Sequence, residues 1–144
     1  AEFDPKQPGE NIQAYLWART VACPTTGKPV PLSPNWWVGT GDRPAAVRML
    51  TNPSWDTPRF EIVRDHFRDI DPDQGTISHG VGRSPWTGEA IDGDYIKHEA
   101  QCGRMGQMLY AVVTKRHGGL DYRTPSEKDI ASAAGPISLH RDSL

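Results

Sequence analysis

The sequence predicts an α+β chain, mainly antiparallel β. Three observations carry that expectation. A period-two strand stands near the start, two turns of one design recur far apart, and a glycine-marked hairpin late in the chain runs into a capped helix. Composition agrees: in 144 residues there are 13 Pro and 14 Gly with a hydrophobic fraction of 36 %, the profile of a loop-rich domain rather than a helix bundle. Five Trp supply large buried areas to an otherwise shallow core. One domain spanning residues 1–144 is expected from that length.

Residues 1–10 (AEFDPKQPGE) are polar and proline-marked, and read as a linker or leading arm. From Ile12 to Val21 the residues alternate, with Ile12, Ala14, Leu16 and Ala18 on one face and Gln13, Tyr15, Trp17 and Arg19 on the other. That is the pattern of a half-buried strand. The first turn, Cys23-Pro24-Thr25-Thr26-Gly27, follows, and Val30-Pro31-Leu32 resumes as an edge-like segment. Asn35–Val38, bounded by Pro34 and Gly39, places one of Trp36 and Trp37 in the core by strand alternation. Further strands are expected at Ala46–Leu50 and Phe60–Val63, and the charged run Arg64–Asp73 reads as a solvated loop.

Thr76–Ser78 leads into the second turn, Ser84-Pro85-Trp86-Thr87-Gly88, and Tyr95–His98 is expected to resume as a strand. Helix and loop are both compatible with Glu99–Gly106, and its two Gly favour loop. Leu109–Lys115, the turn signal His117-Gly118-Gly119 and Leu120–Arg123 form the clearest hairpin. A helix is then expected with Thr124 as N-cap, Pro125 in its first position and Glu127 closing a capping box, running through Ala131–Ala134 to Gly135-Pro136.

The two turns share one frame: small polar or thiol residue, Pro, any residue, Thr, Gly, then a charged residue. Such Pro-to-Gly tips are the knuckles of zinc ribbons, where Cys-Pro-x-Cys-Gly pairs supply four thiolates to one tetrahedral metal. Here Cys23 is the one thiol among the four knuckle positions Cys23, Thr26, Ser84 and Thr87. The expectation is a degenerate zinc-ribbon-like double hairpin over residues 11–98, without metal, joined to the hairpin and capped helix of residues 107–135. Losing a structural zinc removes on the order of 10 kcal/mol of folding free energy, and Trp86 beside the second tip is the candidate replacement filling. Two cysteines, Cys23 and Cys102, make no disulfide framework.

Other chemistry is sparse. No signal peptide, lipidation motif or membrane-length apolar run is present, and a reducing cytoplasm is the expected compartment. Net charge is −2, which gives no global signature for nucleic acid but leaves room for a local patch. Arg104, Arg19, Lys97 and Arg83, with Lys115 and Arg116, lie in or beside strand-like segments, and Trp36, Trp37 and Trp86 offer stacking faces. Arg104 leads that set, because its flanking glycines let a phosphate approach. An ion pair of one arginine with Glu99 or Asp94 is the competing structural role. Asn52-Pro53-Ser54-Trp55 and Ser33-Pro34-Asn35-Trp36 each fall one Pro short of the Pro-Pro-aromatic tetrapeptide of DNA amino-methyltransferases. No strand–glycine-turn–helix unit for S-adenosylmethionine is found, so no catalytic residue is assigned.

Two segments carry a family resemblance. Tyr15-Leu16-Trp17-Ala18-Arg19-Thr20-Val21-x-Cys23-Pro24 is one; Tyr95-Ile96-Lys97-x-Glu99-Ala100-x-x-Gly103-Arg104-Met105-Gly106, followed by Leu109-x-Ala111-Val112-Val113, is the other. Both resemble the adenine-specific DNA methylases that contain a zinc ribbon, large multidomain proteins that also carry a domain of unknown function. The likeness spans residues 10 to 130 and departs from the family at three of the four knuckle ligands. It implies an accessory region, with the methyltransferase machinery and its S-adenosylmethionine elsewhere in a longer parent chain, consistent with a start at Ala1 rather than Met. DNA and the parent's catalytic domain are the implied partners. A structural or protein–protein interaction module with no nucleic-acid role is the alternative, and a small stand-alone enzyme using Asn52–Trp55 a third.

Overall fold

The computed structural model describes residues 11–39, 44–65, 67, 70–116, 119–132 and 138–140. It is mostly antiparallel β with two short helices, arranged as three sheets. The first sheet is built on β1 (Asn11–Ala22), paired antiparallel along one edge with β9 (Gly106–Arg116), which pairs in turn with β10 (Gly119–Arg123). The opposite edge of β1 is shared. β2 (Pro29–Leu32) runs antiparallel to its C-terminal part, and β11 (Ser138–His140) runs parallel to Tyr15–Trp17. A second sheet contains β3 (Trp37–Gly39), β4 (Ala45–Leu50) and β5 (Arg59–Val63) in that order. The third is a small meander of β6 (Ile77–Ser78), β7 (Val81–Arg83) and β8 (Ala90–Ile91).

Alternation along β1 is interrupted by a bulge. Ile12 pairs with Thr114 but Ala14 with Val113, so Gln13 is the extra residue, and Ile12 joins the face of Tyr15 and Trp17 rather than that of Ala14. A second shift, between Leu16 and Trp17, leaves Tyr110 of β9 as the extra residue. Tyr110 and Ala111 then enter the same core, which the normal alternation of a strand forbids.

That core lies between the first two sheets. Ala14, Leu16, Ala18, Tyr110, Ala111, Val113 and Tyr122 meet Trp36, Ala45 and Val47, with Phe60 and Met49 at the margin. Of the adjacent pair, Trp36 is the buried ring, edge-on to Tyr110 at 5.5 Å. Trp37 turns outward onto Phe67, with ring centres 5.0 Å apart, and donates Nε1–H to Asp73 Oδ1 at 2.8 Å. A second core joins the β1–β2 hairpin to the meander: Val21, Cys23, Val30 and Leu32 pack on Ile77 and Ile91, flanked by Trp86, Tyr95, Ile96 and Met105.

Three sequence expectations need correction. Tyr95–His98 is not a strand but the centre of a helix, α1 (Gly93–Gln101), which also takes in the start of the expected 99–106 loop. Asp92 caps it, its side chain accepting from the Asp94 N–H. The helix buries Glu99 and lays Tyr95 and Ile96 on the second core, and Gly103 at φ 72° follows its end. The C-terminal helix, α2 (Glu127–Ser132), starts later than expected. Ser126, not Thr124, is its cap, bonded reciprocally to Asp129: Asp129 N–H donates to Ser126 Oγ at 3.3 Å and Ser126 N–H to Asp129 Oδ2 at 2.7 Å. Gly80-Val81-Gly82 spans the turn and strand of the β6–β7 hairpin. His79 at φ 52° and Gly80 at φ 81° form the tight turn, the left-handed pair that matches strand twist.

The late hairpin falls as expected on β9 and β10, with its turn residues His117 and Gly118 outside the described residues. The leading arm 1–10 and the end of the expected helix, Ala133–Pro136, also lie outside them. Among the described residues no helix is long and apolar enough to cross a membrane.

Candidate functional site

Each Pro-to-Gly turn closes a hairpin, and the two are built alike. In the first, Cys23 N–H donates to Lys28 O at 2.8 Å, Gly27 N–H to Cys23 O at 2.8 Å, and Lys28 N–H to Thr26 Oγ1 at 3.2 Å. In the second, Ser84 N–H donates to Glu89 O at 2.9 Å, Gly88 N–H to Ser84 O at 2.8 Å, and Glu89 N–H to Thr87 Oγ1 at 3.2 Å. Gly27 and Gly88 sit at φ 75° and 79°, where any L-residue is strained. One backbone design thus appears twice, 61 residues apart.

The two tips meet through their first residues. Ser84 Oγ donates to Cys23 Sγ at 3.2 Å, and Cys23 Sγ–H donates to Glu89 Oε1 at 3.4 Å. Ser84 Oγ also accepts the Trp86 N–H at 3.2 Å. Both Cys23 and Ser84 are 1 % exposed. Burial pushes the Cys23 thiol up, but hydrogen bonds from Ser84 and Thr26 and from the backbone at Thr26 and Thr25 outweigh it and hold the thiol below its ordinary value. Hydrogen bonds from Thr25 first, then from Cys23 and Thr87, hold the Glu89 carboxyl low despite its desolvation. Cys23 and Ser84 therefore meet, with Thr26 bonding toward the Cys23 thiol and Thr87 toward the Glu89 carboxylate.

Trp86 both packs and bridges. Its Nε1–H crosses to Pro29 O at 2.9 Å and its ring lies against the second core, with Lys28 Nζ 4.8 Å from the ring centre. Tyr95 adds a third tie, donating to Ala22 O at 2.7 Å. Glu89, Lys28 and Thr25 are site residues that motif reading passed over. Their signal was present: opposite charges, Lys28 and Glu89, stand directly after the two turn glycines.

The donor set does not suit zinc. One thiol, three hydroxyls and a carboxylate lack the four N or S ligands of a structural site, and the described residues contain no group of three or more His, Cys, Asp or Glu placed to hold a metal.

The basic candidates lie on different elements. Arg104 forks onto the buried Glu99, with Nε and Nη2 at 2.9 and 2.6 Å from Oε2. That bond is the main cause of the low Glu99 carboxyl. Arg83, on β7, donates to Gly88 O at 2.6 Å and so pins the second tip. Arg19 on β1 and Lys97 on α1 are exposed, as is Lys115 on β9. Cys102 is an exposed free thiol 3.6 Å from His98 Nε2. No family model, no curated protein and no solved structure matches this chain.

The two tetrapeptides differ in what they present. In Ser33–Trp36 the hydroxyl donates to Asn35 O and Trp36 is core. In Asn52–Trp55 the Asn52 Oδ1 accepts from Ser54 N and Oγ at 2.9 and 2.8 Å, an Asx turn that occupies the amide oxygen. The acidic run borders two open clefts of about 470 and 370 Å³ that share Asp71, Gln74, Gly75 and Thr76, with Asp71 and Asp73 facing solvent.

Proposed function

We propose that this chain is a non-catalytic accessory domain of an adenine-specific DNA methyltransferase, positioning DNA or bracing the catalytic domain. Its centre is a zinc-ribbon-type pair of knuckles in which hydrogen bonds have replaced the metal. The observation that carries the reading is the pair of identical tips meeting at Cys23 and Ser84, with Glu89 where the ligands converge. The likeness of the Tyr15–Pro24 and Tyr95–Val113 segments to the methylase family supplies the parent activity. Transfer of a methyl group from S-adenosylmethionine to the adenine amine belongs to the parent's catalytic domain.

A structural or protein-interaction module is the second reading, favoured by the internal engagement of Arg83 and Arg104 and by the net charge of −2. A DNA titration over a salt series separates the two. DNA handling predicts binding that weakens steeply with salt; no binding at low salt leaves the interaction module.

A further inference from the structure

We infer that the face formed by the first tip, the second tip and the β4–β5 loop is a docking surface for unpaired nucleotides, with Trp55 as the stacking platform and Lys28 and Arg59 as phosphate contacts. This rests on the reading that the domain handles DNA, and relocates the contact away from Arg104, Arg19 and Lys97.

The loop between β4 and β5 is stitched to both tips. Lys28 Nζ donates to Pro53 O at 2.9 Å, and Thr51 Oγ1 donates to Pro85 O at 3.3 Å. The Asx turn at Asn52 and the Trp55 N–H bond to Asn52 O at 2.9 Å fold the loop back on itself. Trp55 belongs to none of the three apolar clusters. Its half-exposed indole is instead faced by the Arg59 guanidinium, 4.0 Å from the ring centre. Lys28 repeats that arrangement on Trp86. A single lysine side chain therefore reaches from one ring to the loop that carries the other. Two cation–aromatic pairs, Arg59–Trp55 and Lys28–Trp86, thus lie on elements tied to each other through Pro53.

An indole with cations nearby matches the chemistry of single-stranded nucleic acid, in which base faces stack on aromatic side chains without regard to sequence while the phosphates meet cations. A paired duplex hides its base faces, so the surface selects unpaired nucleotides. Trp86 has structural duties through Pro29 and the second core; among the described residues Trp55 joins no apolar cluster, and it is the residue to test.

The experiment is a fluorescence-anisotropy titration of the 144-residue chain with a single-stranded oligonucleotide of about 12 nucleotides and with its duplex. The single strand is expected to bind more tightly. Trp55→Ala and Arg59→Gln should each weaken it by about tenfold, Trp55→Phe should restore much of the loss, and Arg104→Gln should leave it unchanged. Binding that ignores Trp55→Ala but falls with Arg19→Gln or Lys97→Gln overturns this surface while leaving DNA handling intact. Absence of binding to either probe at low salt overturns both.

Discussion

A buried thiol placed between two turns has to be satisfied by hydrogen bonds, and Cys23 is satisfied from both sides. Ser84 donates to it and Glu89 accepts from it. Ser84→Ala removes the donor while leaving the fold's shape, and should cost about 1–2 kcal/mol, read as a lower urea midpoint with unchanged m-value. The other polar centre is Asp129, fully buried and held by Arg123 at 2.5 and 2.9 Å and by Ser126. Burial raises its carboxyl, but the bonds from Arg123 and Ser126 outweigh that and depress it. An unfolded Asp titrates at about 4. The stabilisation is therefore complete above that value and is lost as pH falls through the lower folded value. Asp129→Asn should lower stability at neutral pH by about 2–3 kcal/mol, since it strands the mostly buried Arg123. It should also flatten the acid limb of a thermal-stability profile, and an acid limb as steep as wild type's would contradict this assignment.

Among the elements, the two hairpin tips decide what kind of module this is. Their equivalence extends to two backbone bonds each, one backbone N–H to threonine hydroxyl bond each, and a positive-φ glycine. If they descend from a metal-binding pair, restoring thiols at Thr26, Ser84 and Thr87 beside Cys23 should create a tetrahedral site. The triple variant T26C/S84C/T87C is expected to retain one zinc per chain by elemental analysis and to melt higher with zinc than with chelator. A triple variant that folds and holds no zinc would count against the knuckle reading. Motif reading reached these turns because Pro, Thr and Gly have fixed conformational jobs. It missed α1 because Tyr95 and Ile96 are as acceptable in a strand as in a helix, and nine residues give too few periods to decide. The α2 start moved by two residues because Asp129 pairs with Arg123 on β10, a tertiary contact that selects Ser126 over Thr124 as cap.

In the whole molecule, the joint between the sheets is a crossing of two loops. Thr76 Oγ1 donates to Pro31 O at 2.5 Å and accepts the Ser33 N–H at 3.0 Å, while Thr76 N–H donates to Ser33 O at 2.8 Å. Close by, Pro72 O takes the Trp36 N–H at 2.7 Å. Gly75 permits this crossing, since a Cβ there would stand 1.8 Å from Ser33 O and 2.5 Å from the Pro34 carbonyl carbon. Neither neighbour is a flexible side chain. Gly75→Ala should cost about 3 kcal/mol or more and loosen the meander from the β1–β2 hairpin, visible as loss of hydrogen-exchange protection at Ser84 and Ile91. Protection equal to wild type's would remove Gly75 from this role.

Local chemistry alone determined the strand at β1, the late hairpin, the place and form of both turns, and the outward turn of one of Trp36 and Trp37. Each follows from side-chain period or from the few residues that tolerate a given φ. The turns were expected to pair and an arginine to meet Glu99; tertiary structure decided that the turns touch at Cys23 and Ser84, that Glu89 joins them there, and that Trp86 reaches across to Pro29 O. The physical reason is range: backbone preferences act over a few residues, whereas these contacts join segments 57 to 66 residues apart, brought together only when the apolar faces of the β1–β2 hairpin and the meander leave water together.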